Sequence, residues 1–293
     1  MYQINRNGCQ PILKQNIYEL NSVCNHTDKS ASEKLEYLTF PQLEALGMVK
    51  HLISTRMGGV SKGDLSTMNL SFTRGDEPEN VFENYRRIAA VLNCEPKDMI
   101  ASHQTHTTNV RQVTVKDKGK GILYPRDYED VDGLITNEPG VVLVTYYADC
   151  VPLFFVDPIK KAIGLAHSGW RGTVDRMGEV MVKSMQEHFR SNPGDLYACI
   201  GPSICKECYE VSEEVAVQFI EEFGEAVLTP GKASGKYQLD LWLSNRMILE
   251  QAGIPSNRIQ VTDICTCHNP GYLFSHRATG GKRGNIAAFL GLS

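Results

Sequence analysis

A cysteine and a histidine bracket an apolar stretch near the middle of the chain: Cys150 ends YYADC and His167 sits in AIGLAHSGWRG. Between them PLFFV and KAIGLA read as two strands, and Asp157-Pro158-Ile159-Lys160 supplies residue types favoured in a turn. A symmetric hairpin that sets Val156 opposite Lys161 also sets Cys150 opposite His167, their Cβ atoms roughly 5 Å apart on one face. Asp149 and Ser168 then pair on the other face. Such a separation suits two ligands of one metal, or a thiol beside its base. A bulge or an odd-length turn would shift the register and leave a buried cysteine and a hydrogen-bonded histidine.

A third donor is offered by His103-Gln104-Thr105-His106. In an extended segment, residues three apart face opposite sides, so one imidazole enters a given site and the other orients a ligand. Two histidines and a cysteine make a set fit for zinc with its fourth position open. Asp149, beside Cys150, could anchor a hydrogen bond to that set or be a solvated strand-end carboxylate. Small residues in Ser168-Gly169-Trp170-Arg171-Gly172-Thr173 leave backbone N–H groups free where a helix begins, a potential anion cradle to which Arg171 adds charge. Two Gly-rich loops carry Arg56 (STRMGGVS, 54–61) and Arg277 (FSHRATGGKRG, 274–284), and each could deliver a guanidinium to a phosphate. Lys282 and Arg283 read as solvated surface charges. A competing constellation joins Cys205-Lys206-Glu207-Cys208 to Cys265-Thr266-Cys267-His268 as a structural zinc or a redox pair, although CxC spacing fits a tetrahedral knuckle poorly.

These groups need a scaffold. Helical periodicity is expected from Pro78 to Asn93 (Val81, Tyr85, Ile88, Leu92) and from Thr173 to Phe189 (Val174, Met177, Met181, Met185, His188). Two more helices are expected after the caps Ser212 and Asp240, closed by Gly224 and Gly253. The methionine stripe reads as core filler. Short apolar runs (HLIST, DMIASH, NVRQVTV, GLITN, VVLVTYY, PLFFVD, AIGLAH, YACIG, RIQVTDI) supply strands that do not strictly alternate with helices. The expectation is an α+β fold: a single layered sandwich domain with mixed β-sheets flanked by helices. Residues 1–35 are expected as a loosely patterned extension with a polar link at 25–34, and 36–293 as one domain.

The chain has 293 residues and a formal net charge of -4, which argues against a nucleic-acid partner. No apolar run approaches a membrane span, and no signal peptide is visible at the start. Nine cysteines without a small-domain framework suit a reducing cytoplasm, with Cys9, Cys24, Cys94 and Cys199 packed or superficial.

Several blocks together resemble the laccase-domain proteins, historically named polyphenol oxidases. They are STRMGGVS (54–61), NLSFTRGDEPENVFEN (69–84), HQTHTTNV (103–110), DVDGLITNEPGVVLVTYYADCVPLFF (130–155), AIGLAHSGWRGT (162–173), IGPSICKECYEV (200–211) and FSHRATGGKRGNIA (274–287). The resemblance implies a layered α+β fold and a purine nucleoside phosphorylase with adenosine deaminase activity. It implies a His, Cys, His metal site; its Q-x-H motif falls on His106, its ADC motif on Cys150 and its AHxGWRG motif on His167. Zinc is the expected ion and copper the alternative. Purine nucleosides and phosphate are the expected partners, with a homodimer open. Arg56, Arg171, Arg277 and His103 are the candidates for holding substrate or phosphate, and Asp149 and His103 for handling protons. His276 departs from the family's aromatic at LFSHRATG. A four-copper oxidase needs roughly ten histidine ligands; this chain has eight histidines and no HxH. A metal-free Cys–His hydrolase, a single-copper oxidase and a non-catalytic zinc protein are the other readings.

Overall fold

The computed structural model describes residues 1–8, 11–20 and 34–293; Cys9, Cys24 and nearly all of the polar link at 25–34 lie outside the described residues. Two six-stranded mixed sheets face each other. The first runs, in spatial order, Lys14–Glu19, Lys34–Thr39, Val49–Ser54, Ile286–Leu292, Val142–Tyr147 and Met99–Ala101. The second runs Ile259–Val261, Tyr197–Ile200, Val151–Asp157, Ala162–Ser168, Gly133–Thr136 and Val110–Gln112. A small sheet of Glu210–Ser212, Lys236–Leu239 and Leu228–Pro230 lies apart from both.

The central strands read as continuous apolar runs because both of their faces are buried. Alternate residues divide between layers. Ile53, Leu143, Ala288 and Leu290 of the first sheet meet Phe154, Val156, Ile163 and Leu165 of the second. Their neighbours Leu52, Val144, Ala287 and Phe289 face outward against Val81, Tyr85, Ile88 and Leu92 of the helix Pro78–Leu92. On the far side, Leu153, Phe155 and Ala166 pack against Met177, Met181, Phe219 and Ile248 of the helices Met177–Phe189, Glu213–Phe223 and Leu241–Gln251. The result is a helix–sheet–sheet–helix sandwich, as expected.

Three local expectations are corrected. The helix over 173–189 is two helices, Trp170–Val174 and Met177–Phe189, parted by Arg176 in the left-handed region at φ 58. Arg176 is held there by Glu179, Glu222 and Gln251. His188 is exposed and Phe189 takes its place in the core. Residues 14–19 are an edge strand paired to Lys34–Thr39 rather than part of a loose extension, and Tyr2 stacks on Tyr272 at 4.7 Å. The methionines do fill the core: a Cβ on Gly133 would lie 2.6 Å from Met177 Cε, and one on Gly164 2.7 Å from Met181 Cε.

The hairpin that raised the question of a site has a different register. Val156 faces Ile163 and Pro152 faces His167, so the pairing is offset by two residues from the expected one. Asp157 caps the turn itself, accepting from the N–H groups of Ile159 and Lys160 at 2.9 Å, and Lys161 takes φ 52. Ser168 pairs with Val151, not with Asp149. An even offset preserves the faces, and Cys150 enters from the turn before its strand.

Candidate active site

A cleft of about 300 Å³ lies at the C-terminal ends of Val142–Tyr147 and Ala162–Ser168, lined there by Tyr146, Tyr147 and His167. His106, Cys150 and His167 line it together, and their ligand atoms all lie within 4.8 Å of one another. Cys150 Sγ is 4.0 Å from His106 Nε2, and the two imidazoles stand nearly perpendicular with centroids 4.9 Å apart. Zinc bonds of about 2.3 Å to sulfur and about 2.05 Å to nitrogen would space these atoms about 3.6 Å apart. The three therefore fit one ion with small adjustments.

Two of the donors are delivered by backbone that departs from regular structure. Asp149 at φ 95 makes the sharp entry that turns Cys150 into the cleft, and His106 sits at φ 67. His167 comes from a strand end, with its ring over Tyr147. Gly169 makes room: a Cβ there would lie 3.0 Å from His106 Cδ2 and 3.2 Å from Cys150 Sγ. The small residues after His167 thus serve the approach of the two donors. Arg171 is exposed over the Trp170 ring and does not line the cleft.

The organiser is Asp132, which sequence reasoning passed over although DVDG was among the quoted blocks. It is fully buried. Its carboxylate accepts from His167 Nδ1 at 2.7 Å and from the backbone N–H groups of Thr105 at 3.0 Å, His106 at 3.2 Å and Thr107 at 3.1 Å. One carboxylate thus fixes both the His167 ring and the loop that carries His106. Burial alone would push Asp132 up; the bonds from His167, Thr105 and Thr107 hold it below the usual carboxylate range. Burial would likewise raise the Cys150 thiol, but the His167 charge and bonds from both imidazoles bring it down to about 6. His167, which burial would lower, is raised to about 9 by Cys150 and Asp132. Each of the two groups thus favours the charged form of the other.

The charged groups of the cleft differ from those expected. Arg56 is spent on the carbonyls of Ser66 and Pro270 and lies over Phe274, outside the cleft. Its glycines permit close backbone packing: a Cβ on Gly59 would lie 2.1 Å from the Thr67 carbonyl oxygen. Arg277 donates to the carbonyls of Cys208 and Glu210, also away from the cleft. Asp149 accepts from Thr266 Oγ1 at 2.6 Å and from the Arg277 N–H at 2.7 Å, bonds that brace the turn before Cys150. His103 does line the cleft; its Nδ1 accepts from the Asp130 N–H at 3.1 Å, which leaves the ring proton of the neutral form on Nε2.

Arg74, Arg126 and Arg283 supply the positive charge instead. Arg283, expected as a solvated surface charge, is half-buried, and its Nε has no hydrogen-bond partner. Burial and the adjacent Arg74 lower it to about 10. The Gly-Gly-Lys-Arg-Gly stretch gave no sign of this, because the tertiary turn alone decides that Arg283 points inward while Lys282 is exposed. Arg74 lay inside a quoted block, and the run of charges around it masked it.

Comparison with known proteins places this geometry in a family. The family model described as multi-copper polyphenol oxidoreductase laccase matches residues 50–293. The chain belongs to this family. A Bacillus subtilis protein named purine nucleoside phosphorylase YlmD is 40% identical over 242 residues, covering 82% of this chain and 87% of that protein. A Bacteroides thetaiotaomicron protein named purine nucleoside phosphorylase is 33% identical over 265 residues, covering 88% and 96%. The crystal structure of YlmD from Geobacillus stearothermophilus superposes with a TM-score of 0.81 at 32% identity, covering 91% of this chain and 98% of that one.

Among the described residues of this laccase-family chain, the histidines are not gathered as a multi-copper centre requires. Among the described residues, only His106 and His167 join Cys150. His51 accepts from the Phe40 N–H, His188 approaches the Ser184 carbonyl, His276 is exposed, and His268 stands in a second cluster. No helix of the described residues is long and apolar enough to cross a membrane.

Proposed function

We propose that this chain is a zinc-dependent purine nucleoside phosphorylase, which takes a purine nucleoside and phosphate to the free base and ribose 1-phosphate. The observation that carries the reading is one cleft lined by a three-donor metal set and three arginines. The relatives' names point the same way.

His106, Cys150 and His167 would hold the ion. A single His₂Cys site could also take copper, but blue-copper sites add an axial methionine or a comparable weak ligand. Among the described residues no methionine lines this cleft, and Gln104 is already engaged with Tyr146 and Ser102. Zinc so held would supply Lewis-acid chemistry to the cleft.

The remaining work falls to the chain. Arg74 and Arg283 present adjacent positive charge that a phosphate dianion would relieve. Holding phosphate beneath the sugar positions its oxygen for attack as the glycosidic bond breaks through an oxocarbenium-like state. Phe72 and Tyr146 line the cleft and supply apolar, aromatic surface suited to a purine. His103, with its proton on Nε2, can donate to the departing base.

Adenosine deamination would need a proton-transferring group beside the ion. Zinc deaminases pair the ion with a glutamate that moves protons; among the described residues no carboxylate lines the cleft. Any deamination here relies on His103. A second reading, a metal-free cysteine hydrolase, draws support from the Asp132–His167–Cys150 alignment with its lowered thiol. The second imidazole on the same thiol favours the metal.

Incubation with inosine and with adenosine, with and without phosphate, followed by product identification by mass, tests the proposal. Phosphate-dependent release of base, lost in Cys150→Ala and on chelation, is expected. Base release that ignores phosphate, or activity that survives complete zinc removal, would overturn it.

A further inference from the structure

We propose that Cys205, Cys208, Cys265 and His268 bind a second zinc ion, which fastens two loops together and takes no part in the chemistry. Their ligand atoms all lie within 4.8 Å of one another. Cys205 Sγ is 3.8 Å from His268 Nδ1. A tetrahedral zinc ion spaces sulfur and nitrogen ligands about 3.6 Å apart and two sulfurs about 3.8 Å apart. The four side chains therefore need to close by about 1 Å or less.

The local backbone has the form such a site requires. Cys205 and Cys208 span one tight turn, in which the Cys208 N–H donates to the Cys205 carbonyl at 3.1 Å and the Tyr209 N–H to the same carbonyl at 3.0 Å. A turn of this kind brings the thiols of a C-x-x-C to one side. Cys265 and His268 repeat the spacing as C-x-x-H, with the Asn269 side chain donating to the Cys265 carbonyl at 2.8 Å. The objection from CxC spacing falls away, because Cys267 stands outside the four. The Cys205 N–H points at Cys265 Sγ at 3.3 Å, the kind of donor that metal-bound thiolates accept.

Three thiols and an imidazole leave no position open, which is the mark of a structural site. None of the four lines the catalytic cleft. The ion would join segments 60 residues apart in sequence. The joined segments both grip Asp149: the Ile204 N–H donates to its carbonyl at 3.0 Å, and Thr266 Oγ1 donates to its carboxylate. Ile204 and Thr266 adjoin Cys205 and Cys265. The second ion thereby steadies the turn that presents Cys150, from outside the cleft.

The test uses the full chain, purified without chelator, and the metals themselves. Two zinc ions per chain are expected in the natural protein and one in Cys150→Ala. Cobalt loaded into Cys150→Ala should give tetrahedral d–d bands and a thiolate charge-transfer band about three times that of a single thiolate. His268→Ala should weaken the cobalt affinity of that protein on the order of 100-fold or more, and Cys267→Ala should leave it unchanged. The proposal is overturned if Cys150→Ala retains no zinc, or if fresh protein carries a disulfide among these cysteines. It is also overturned if Cys267→Ala, rather than His268→Ala, loses the metal. Should Cys150→Ala not fold, the natural protein decides: two ions support the second site, and a single ion displaced from His106 and His167 by their substitution refutes it.

Discussion

Asp132→Asn isolates the positioning of the metal donors from their identity. The native carboxylate takes N–H donors on both oxygens: His167 and His106 on Oδ1, Thr105 and Thr107 on Oδ2. An amide keeps one acceptor oxygen and turns an NH₂ group toward the other donors. Either the His167 ring loses its partner or the Thr105–Thr107 loop does. A lost orienting partner typically costs 10–100-fold in metal affinity, which is about 1.4–2.7 kcal/mol. Opposed buried donors add a cost of about 1–3 kcal/mol to folding stability. The affinity should be measured by zinc competition against a chromophoric chelator, and the stability by urea unfolding of metal-free protein. Affinity within about twofold of the natural protein, in a variant whose circular dichroism is unchanged, would refute the claim that Asp132 aligns the set; a tenfold loss is the least the orienting role predicts.

Other outcomes follow from the same geometry. Arg283→Met should raise the KM for phosphate about 10–100-fold, since a charge-assisted bond is worth about 1.5–3 kcal/mol, while leaving the KM for nucleoside nearly unchanged in steady-state assays. Gly169→Ala places a methyl group 3.0 Å from His106 and 3.2 Å from Cys150; zinc titration should find weaker binding without loss of fold. His51 is depressed to about 4 by burial, with Glu44 opposing, and its Nε2 must stay unprotonated to accept from Phe40. The folded chain therefore binds fewer protons here than the unfolded chain, whose histidine titrates near 6.5. The stability is complete above that value and falls as pH drops toward 4, by about 2 kcal/mol at pH 5. Urea unfolding at pH 7 and pH 5 should show this loss in the natural protein and not in His51→Gln.

The layered fold was legible because strands buried on both faces advertise themselves as apolar runs, and the helix Pro78–Leu92 kept its period and ended at Asn93 in the left-handed region. The strand Ile286–Leu292 was not read, although it lies at the centre of the first sheet. Its sequence, IAAFLGL, lacks β-branched residues after the first and alternates in no period that separates strand from helix. The edge strand Lys14–Glu19 is polar, and its pairing depends on a partner that periodicity cannot name.

For the site, residue types and spacing singled out Cys150 and His167 and left His103 and His106 open, because thiol and imidazole are rare enough that their spacing carries information; the family resemblance pointed to His106. The register of the hairpin was off by two residues, yet the faces survived, since side chains along a strand repeat every second residue. What the chain order could not decide was direction. Arginines are common, and nothing local distinguishes Arg56, folded back onto carbonyls, from Arg283, turned into the cleft. Nor could spacing alone unite Cys205 and Cys208 with Cys265 and His268, because that meeting depends on two distant loops packing side by side. Periodicity and rare donors are properties of the sequence; which charges converge is a property of the packed tertiary structure, where long side chains point according to neighbours far away in the chain.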